Sequence, residues 1–355
     1  MQAAVRRFVL DAGGLVAGQG LFDIGGGLLL RLLQTEAELL QSGLVIVADL
    51  SGPGVQAVLL PAQAVRFLPG FLPAARRRER MDKLYAEILN LAGDAARKAG
   101  AFIREARKTG LQVNAKSRLD FVSDKDLMSE NMIREMILEH YPDHLFFGEE
   151  SVSGCSAEEE KEQIGSFRDE DFIWVVDPID GTVNYIRDYP QYAVSIGVVH
   201  HREIIAGAIY DPFRDELFTA CMDGGAFLNG ERIRVSAAKD AGDAIINTSM
   251  PASSMQTRSD MVSRIPKVSG AFQSMRMWNC AAVSLASVAC GRTDANYEAG
   301  IHLWDMAAGI LLVREAGGKV TRLDGSPCTL TQTDILATNG CVHAAAVRAL
   351  NTEKG

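Results

Sequence analysis

No stretch of this chain reaches the roughly 18 consecutive apolar residues that a bilayer-spanning helix needs, so no membrane association is expected. Arg6-Arg7 and the apolar Phe8-Val9-Leu10 are cut off at once by Asp11, which leaves no hydrophobic centre for an export signal. The six cysteines, Cys155, Cys221, Cys280, Cys290, Cys328 and Cys341, form no C-x-x-C pair and have no histidine at ligand spacing. That excludes a zinc ribbon and a disulfide framework, and it points to free thiols in a reducing, cytoplasmic setting. Positive charge is also scarce: 36 Lys and Arg against 45 Asp and Glu leave a formal charge of −9. A broad nucleic-acid surface needs clustered cations, so direct nucleic-acid binding is not expected. An acidic surplus can instead hold hard cations.

What is present is a 355-residue chain that is 47% hydrophobic, enough for one large core or two adjoining ones. Its composition changes near residue 80. Residues 1–80 hold eight Arg, no Lys and six acidic residues, a net +2, whereas the remainder carries −11. The join is the basic run from Pro73 through Arg76-Arg77-Arg78 to Arg80. Within the extension, Leu29, Leu32, Leu33, Leu39 and Leu40 suit an amphipathic helix, and Leu44 to Leu50 suits a strand. The segment admits three readings: a partner-binding addition, a targeting segment, or translation from an upstream start with Met81 as the true first residue. The last is favoured.

From Met81, apolar residues at Leu84, Ile88, Leu91, Ala95, Ala99, Phe102 and Ile103 predict a long helix with one buried face. Ser123 or Asp124 caps a second helix, which Tyr141-Pro142 ends near His140. Strand-like runs follow at 145–147, 172–176, 192–199, 204–210 and 217–221, separated by turns such as Asp211-Pro212, a meander typical of antiparallel sheet. After about residue 240 helices and strands alternate, so residues 81–240 read as an antiparallel α+β half and 241–355 as an α/β half. The last elements are a helix from Trp304 to Ala316 and strands near 319–323 and 335–338. The whole is a mixed architecture in layers.

Three acidic elements stand where strands end or a helix begins: Gly148-Glu149-Glu150-Ser151, Asp177-Pro178-Ile179-Asp180-Gly181-Thr182, and Trp304-Asp305. Proline fixes φ and removes an N–H, so the turn after the second strand is stiff and sets two carboxylates around one point. Magnesium, which demands near-octahedral oxygen geometry, requires such stiffness. Gly181-Thr182 then offers amides to a phosphate. Glu158-Glu159-Glu160, by contrast, reads as a solvated face or flexible loop rather than a metal ligand. His302 reads as structural support, and Cys280 and Cys290 as core.

Two longer patterns, WVVDPIDGTVNY from Trp174 to Tyr185 and WDMAAGILLVREAGG from Trp304 to Gly318, together with Gly148 to Ser151, Asp120 to Asp126 and Glu298 to Asp305, resemble the inositol monophosphatase family. The similarity covers about residues 81–350 in the family's order and spacing. It implies a layered αβαβα sandwich, a homodimer, lithium sensitivity, and hydrolysis of a small phosphorylated polyol with two or three Mg²⁺ ions. It implies that Glu149, Asp177 and the carbonyl of Ile179 hold one ion, and that Asp177, Asp180 and Asp305 hold a second, with a further weak ion leaning on Glu149. Asp126 and Thr182 match the pair that activates the attacking water, and Lys116 a lysine near the metals. Gly181 and Thr182 match the phosphate contacts; Ala281, Glu298 and Asp180 match positions that meet the polyol. A phosphate monoester dianion repels hydroxide, so its hydrolysis needs charge neutralisation and a nucleophile at neutral pH, which a metal pair supplies.

The resemblance weakens on the substrate side. Asn279-Cys280 stand where many members carry Gly followed by Ser or Thr, and Tyr185 to Asp188 departs from the usual rim. Related enzymes act on fructose bisphosphate, histidinol phosphate or phosphoadenosine phosphate, the last disfavoured here by Val183-Asn184. A rival reading keeps the fold for a regulatory protein that acts through a partner such as the transcription machinery.

Overall fold

The computed structural model describes residues 7–9, 44–49, 56–61, 74–116 and 121–351. The chain divides into two units, Met1–Lys83 and Leu84–Gly355. In the first, β1 (Arg7–Val9), β2 (Leu44–Asp49) and β3 (Gln56–Pro61) form an antiparallel sheet in that order. β2 is the strand expected at 44–50; the helix expected over 29–40 lies outside the described residues. Helix α1 (Ala74–Ala106) starts ahead of Met81, because Ala74-Ala75 and the arginines after them are strong helix formers and Pro73 suits a position just before a helix.

The second unit continues with a short ribbon, β4 (Val113–Ala115) and β5 (Phe121–Ser123), and then α2 (Asp124–His140). Of the two caps the sequence offers, Ser123 is the one used, in a capping box with Asp126. Seven strands follow: β6 (Leu145–Gly148), β7 (Ile173–Asp180), β8 (Ala193–His200), β9 (Glu203–Asp211), β10 (Glu216–Cys221), β11 (Gly225–Leu228) and β12 (Glu231–Arg232), lying side by side in chain order. β7 to β10 are the expected antiparallel meander, and β11 and β12 extend it beyond the strands expected. β6 is not part of it: it runs parallel to β7, because the connection between them is a crossover carrying α3 (Ala157–Ser166) rather than a hairpin.

Every residue of β7 and β8 is buried, since helices cover both faces of this sheet. On one face Ile88, Ala92, Ala99 and Ile103 of α1 and Ile133 and Ile137 of α2 pack on Trp174, Val176, Ile196 and Val198. Each fully buried isoleucine among them stabilises the fold by roughly 1.5–3 kcal/mol. On the other face lie two helices from the second half of the chain, α6 (Ala281–Ala289) and α7 (Leu303–Glu315). α7 approaches so closely that a Cβ on Gly197 would sit 2.7 Å from that of Ala307, and one on Gly207 3.0 Å from the Ala308 backbone.

Beyond these helices is a five-stranded sheet of β13 (Ile245–Thr248), β14 (Ser274–Met277), β15 (Ala295–Ala299), β16 (Lys319–Thr321) and β17 (Asp334–Thr338), ordered β14-β13-β15-β17-β16. Helices α5 (Met255–Ala271) and α8 (His343–Asn351) cover its far side through Met261, Val268, Ala346 and Leu350. The unit is an αβαβα layered sandwich.

Candidate metal centre

β7 does not stop before Asp177. It runs on to Asp180, with a bulge where Asp177 pairs with Ser195 and Asp180 with Ala193. Pro178 cannot donate a ladder hydrogen bond, so the chain bulges there instead of turning. The effect on the carboxylates is the one a stiff turn would have: Asp177 and Asp180 emerge close together, and the Ile179 amide fixes Asp177 by donating to Oδ1 at 3.0 Å. Asp305, on the first turn of α7, completes the group. One carboxylate oxygen from each of Asp177, Asp180 and Asp305 lies within 4.8 Å of the others.

Asp177 and Asp180 are buried and Asp305 is half-buried, and the three repel one another. Burial is the largest influence on Asp177, followed by the charges of Glu149, Asp180, Asp305 and Asp126, and its carboxyl is held well above the usual range. Asp180 is pushed up to about 6 and Asp305 to about 7, burial leading in both. A buried acidic group of this kind, gathered from a bulged strand and a helix start, has the chemistry of a hard-cation site.

Each carboxylate is oriented by neighbours. Asp180 Oδ2 accepts from the Ala282 amide at 2.5 Å and from the Cys280 thiol at 3.2 Å, so the start of α6 and the residue before it hold it. Asp305 Oδ2 accepts from the His302 amide at 2.5 Å. Trp304 is buried, and its carbonyl accepts from Ser195 Oγ at 3.3 Å, which ties the start of α7 to β8.

Glu149 stands outside the tight group of three. Its Oε1 accepts from Lys116 Nζ at 2.8 Å, and the same ammonium reaches Glu150 at 2.7 Å. Burial lowers the Lys116 pKa, but these two carboxylates outweigh it and the group stays charged. The Glu149-Glu150 turn is held in turn by Glu130, which accepts from the Glu150 amide at 2.8 Å.

Asp126 is buried on α2, and Ser123 donates to its Oδ2 from the amide at 2.9 Å and from the hydroxyl at 2.5 Å. Burial and the Glu149 charge raise it to about 7. Thr182 Oγ1 is 3.5 Å from Asp126 Oδ1, the outer limit of a hydrogen bond, and makes its shorter bond to the Ile179 carbonyl at 3.0 Å. Gly181, just before the short helix α4 (Thr182–Ile186), has φ +87°, and a Cβ there would lie 2.8 Å from the Gln191 carbonyl, so this turn accepts only glycine without strain.

Glu298 is buried on β15, with Asn296 Nδ2 donating to its Oε1 at 3.1 Å. Burial, then the Asp180 charge, raises it to about 8. Ala281 is buried as the first residue of α6.

Several residues support the site in ways the motifs do not spell out. Cys280 is core, as read, but it also donates to Asp180. Asn184 Nδ2 donates to the carbonyls of Gln191 and Trp278, both at 2.8 Å, joining the turn after β7 to the segment before α6. Of the acidic run, Glu158 and Glu159 are exposed, but Glu160 is not solvated: its Oε2 lies 2.7 Å from His302 Nδ1. The signal was available, because Glu160 is four residues before Ile164, which is buried, and so shares its face of α3.

The fold and the site together define a class, an αβαβα sandwich with a buried carboxylate centre at a strand end. The model of the inositol monophosphatase family matches residues 84–354. The chain is 40% identical over 240 residues to Nus factor SuhB of Xylella fastidiosa, which spans 67% of this chain and 82% of that protein. It is 37% identical over 268 residues to inositol monophosphatase 2 of Solanum lycopersicum, 75% of this chain and 98% of that one. Extragenic suppressor protein suhB from Bartonella henselae, a crystal structure, matches with a TM-score of 0.68 at 35% identity, over 76% of this chain and 100% of its own. This chain belongs to the inositol monophosphatase family. Among the described residues no helix is long and apolar enough to cross a membrane.

Proposed function

We propose that the chain is a Mg²⁺-dependent phosphatase that hydrolyses a small phosphorylated polyol, with inositol monophosphate as the leading substrate. The observation that carries this reading is the group Asp177, Asp180 and Asp305, gathered at one point, two of them buried, and mutually repelling in the fold of this family. The residues fit a hard cation, since every leading influence on Asp177 is burial or another carboxylate. Asp177, Asp180 and Asp305, with Glu149 and the Ile179 carbonyl, are the groups that would hold two or three Mg²⁺ ions. When bound, the ions neutralise phosphate charge and lower the pKa of water.

The protein's own part is to position and to move a proton. Thr182 and Asp126 orient the attacking water, and Asp126, held by Ser123, takes its proton. Lys116 fixes the Glu149 and Glu150 carboxylates. The amides of Gly181 and Thr182 meet the phosphate, while Ala281, Glu298 and Asp180 face the alcohol. Family membership supports a lithium-sensitive homodimer working in the cytoplasm.

The test uses the full chain with Mg²⁺ and inositol monophosphate. Phosphate should be released, and Asp177→Asn should abolish the release. Because Asn279-Cys280 departs from the family on the alcohol side, the panel includes fructose bisphosphate, histidinol phosphate and phosphoadenosine phosphate. No turnover on any of them would sink the enzymatic reading.

A second reading rests on a specific observation, that a relative 40% identical is named a Nus factor. On it, the chain binds a partner in the transcription machinery. Asp177→Asn should then leave capture of that partner intact, and its loss would count against the reading.

A further inference from the structure

We propose that Glu160 is a positioning residue for the metal centre, fixing the His302 ring and, through it, the backbone amide that holds Asp305. The inference rests on the reading of Asp305 as a metal ligand and adds the crossover helix α3 to the machinery.

Three observations meet at His302. Its Nδ1 lies 2.7 Å from Glu160 Oε2. Its ring stacks on Trp304 with centroids 4.5 Å apart and planes 5° from parallel. Its amide donates to Asp305 Oδ2 at 2.5 Å. The ring is thus held on one face by the residue next to the ligand and at one edge by a carboxylate from a distant element, while the same residue's backbone grips the ligand. With the ring anchored at its edge and on its face, the residue that carries the amide is held in place.

Glu160 is well suited to hold still. A capping box starts α3, with Ser156 N donating to Glu159 Oε2 at 2.7 Å and Glu159 N to Ser156 Oγ at 3.2 Å. One turn beyond Glu160, Ile164 is 1% exposed and sits in the same core cluster as Phe147 and Trp304. The helix is therefore pinned on either side of Glu160, whose side chain is 13% exposed. A glutamate there only for solubility would face outward with Glu158.

The experiment measures Mg²⁺ binding to the full chain by calorimetry without substrate, and the Mg²⁺ concentration for half-maximal phosphate release. Partners one bond beyond the ligands set metal affinity by 10- to 100-fold, so one a step further out should be worth about 3- to 10-fold. Glu160→Ala is expected to weaken Mg²⁺ binding by that amount, with kcat at saturating Mg²⁺ kept. Glu160→Gln, which retains a bond to the ring, should stay within about 2-fold, and Glu158→Ala should not differ from the parent. Glu160→Met keeps the bulk without the bond and replaces the alanine variant should that one not fold. Unchanged Mg²⁺ affinity in the alanine or methionine variant overturns the proposal. So does an equal loss in Glu160→Gln, which would assign the effect to charge alone. A parent protein that binds no Mg²⁺ would remove the metal reading itself, a distinct result.

Discussion

The proposed metal side of the site and its proposed alcohol side are built from different materials. On the metal side, Asp177 and Asp180 sit on a strand buried along its whole length and Asp305 on a helix wedged against the same sheet, so each carboxylate is carried by an element that cannot shift without disturbing the core. On the alcohol side, the segment before α6 carries Asn279 in the left-handed region at φ +53°, and Asn296 Nδ2 donates to the Glu298 carboxyl at 3.1 Å. Rigid packing fixes the first side and individual polar contacts the second. Substitutions should therefore act steeply on the metal side and selectively on the alcohol side.

The steepest case is Asp177→Asn. It removes a carboxylate at the centre of the acidic group, and kcat should fall by about 1000-fold or more, roughly 4 kcal/mol of barrier. The same change relieves repulsion, so the metal-free variant should melt at a higher temperature than the parent. Lost activity with lowered stability would mean that Asp177 holds the fold rather than a cation. Next come Thr182→Ala and Asp126→Asn, each expected to lower kcat by about 100-fold, as removal of a positioned proton acceptor does. If their effects multiply in the double variant, the two residues do not act as one unit.

Removing the metal should reveal the repulsion as a pH dependence. The Asp180 and Asp305 carboxyls are raised from 3.8 to about 6 and about 7 in the fold. A raised carboxyl pKa means that the folded state keeps protons that the unfolded state has released, so this contribution is present below the ordinary value and is lost as pH rises through the folded one. In chelator, the melting temperature should fall between pH 5.5 and 8 by a few degrees, and Mg²⁺ should restore it at pH 8. A melting temperature that rises over this range would contradict the acidic cluster as described.

The same contrast explains what the sequence made legible. Strands β7 to β10 read well because their apolar runs are bounded by turn residues such as Asp211-Pro212, and α2 because Ser123 or Asp124 and Tyr141-Pro142 mark its ends. The acidic motifs were legible because Pro178 and Gly181 constrain the backbone whatever packs around it, although the bulge that extends β7 to Asp180 depends on pairing with β8 and has no local sign. β6 was misread as part of the meander because strand direction is set by the path of the intervening chain, which a periodicity does not report. Glu160 was misread because three consecutive glutamates were weighed as a charge run, whereas a helix separates them onto different faces. The Cys280 bond to Asp180 joins residues 100 positions apart, and no motif encodes such a meeting.

The smallest expected effect belongs to the alcohol side, and it separates specificity from stability. Asn296 donates to Glu298 through Nδ2, while its Oδ1 is buried and accepts no hydrogen bond from another described residue. Asn296→Leu, close in volume, removes an orphan acceptor but leaves the buried Glu298 carboxyl without this donor, so the fold should lose about 1–3 kcal/mol. Glu298 loses the contact that aims it. A single neutral hydrogen bond is worth about 1 kcal/mol, so kcat/KM for inositol monophosphate should drop about 5-fold. Hydrolysis of 4-nitrophenyl phosphate, which brings no polyol, should stay as it was. A parallel loss on both substrates would place Asn296 in the metal side after all, and the division between a packed side and a hydrogen-bonded side would then have to be redrawn one strand further into the five-stranded sheet.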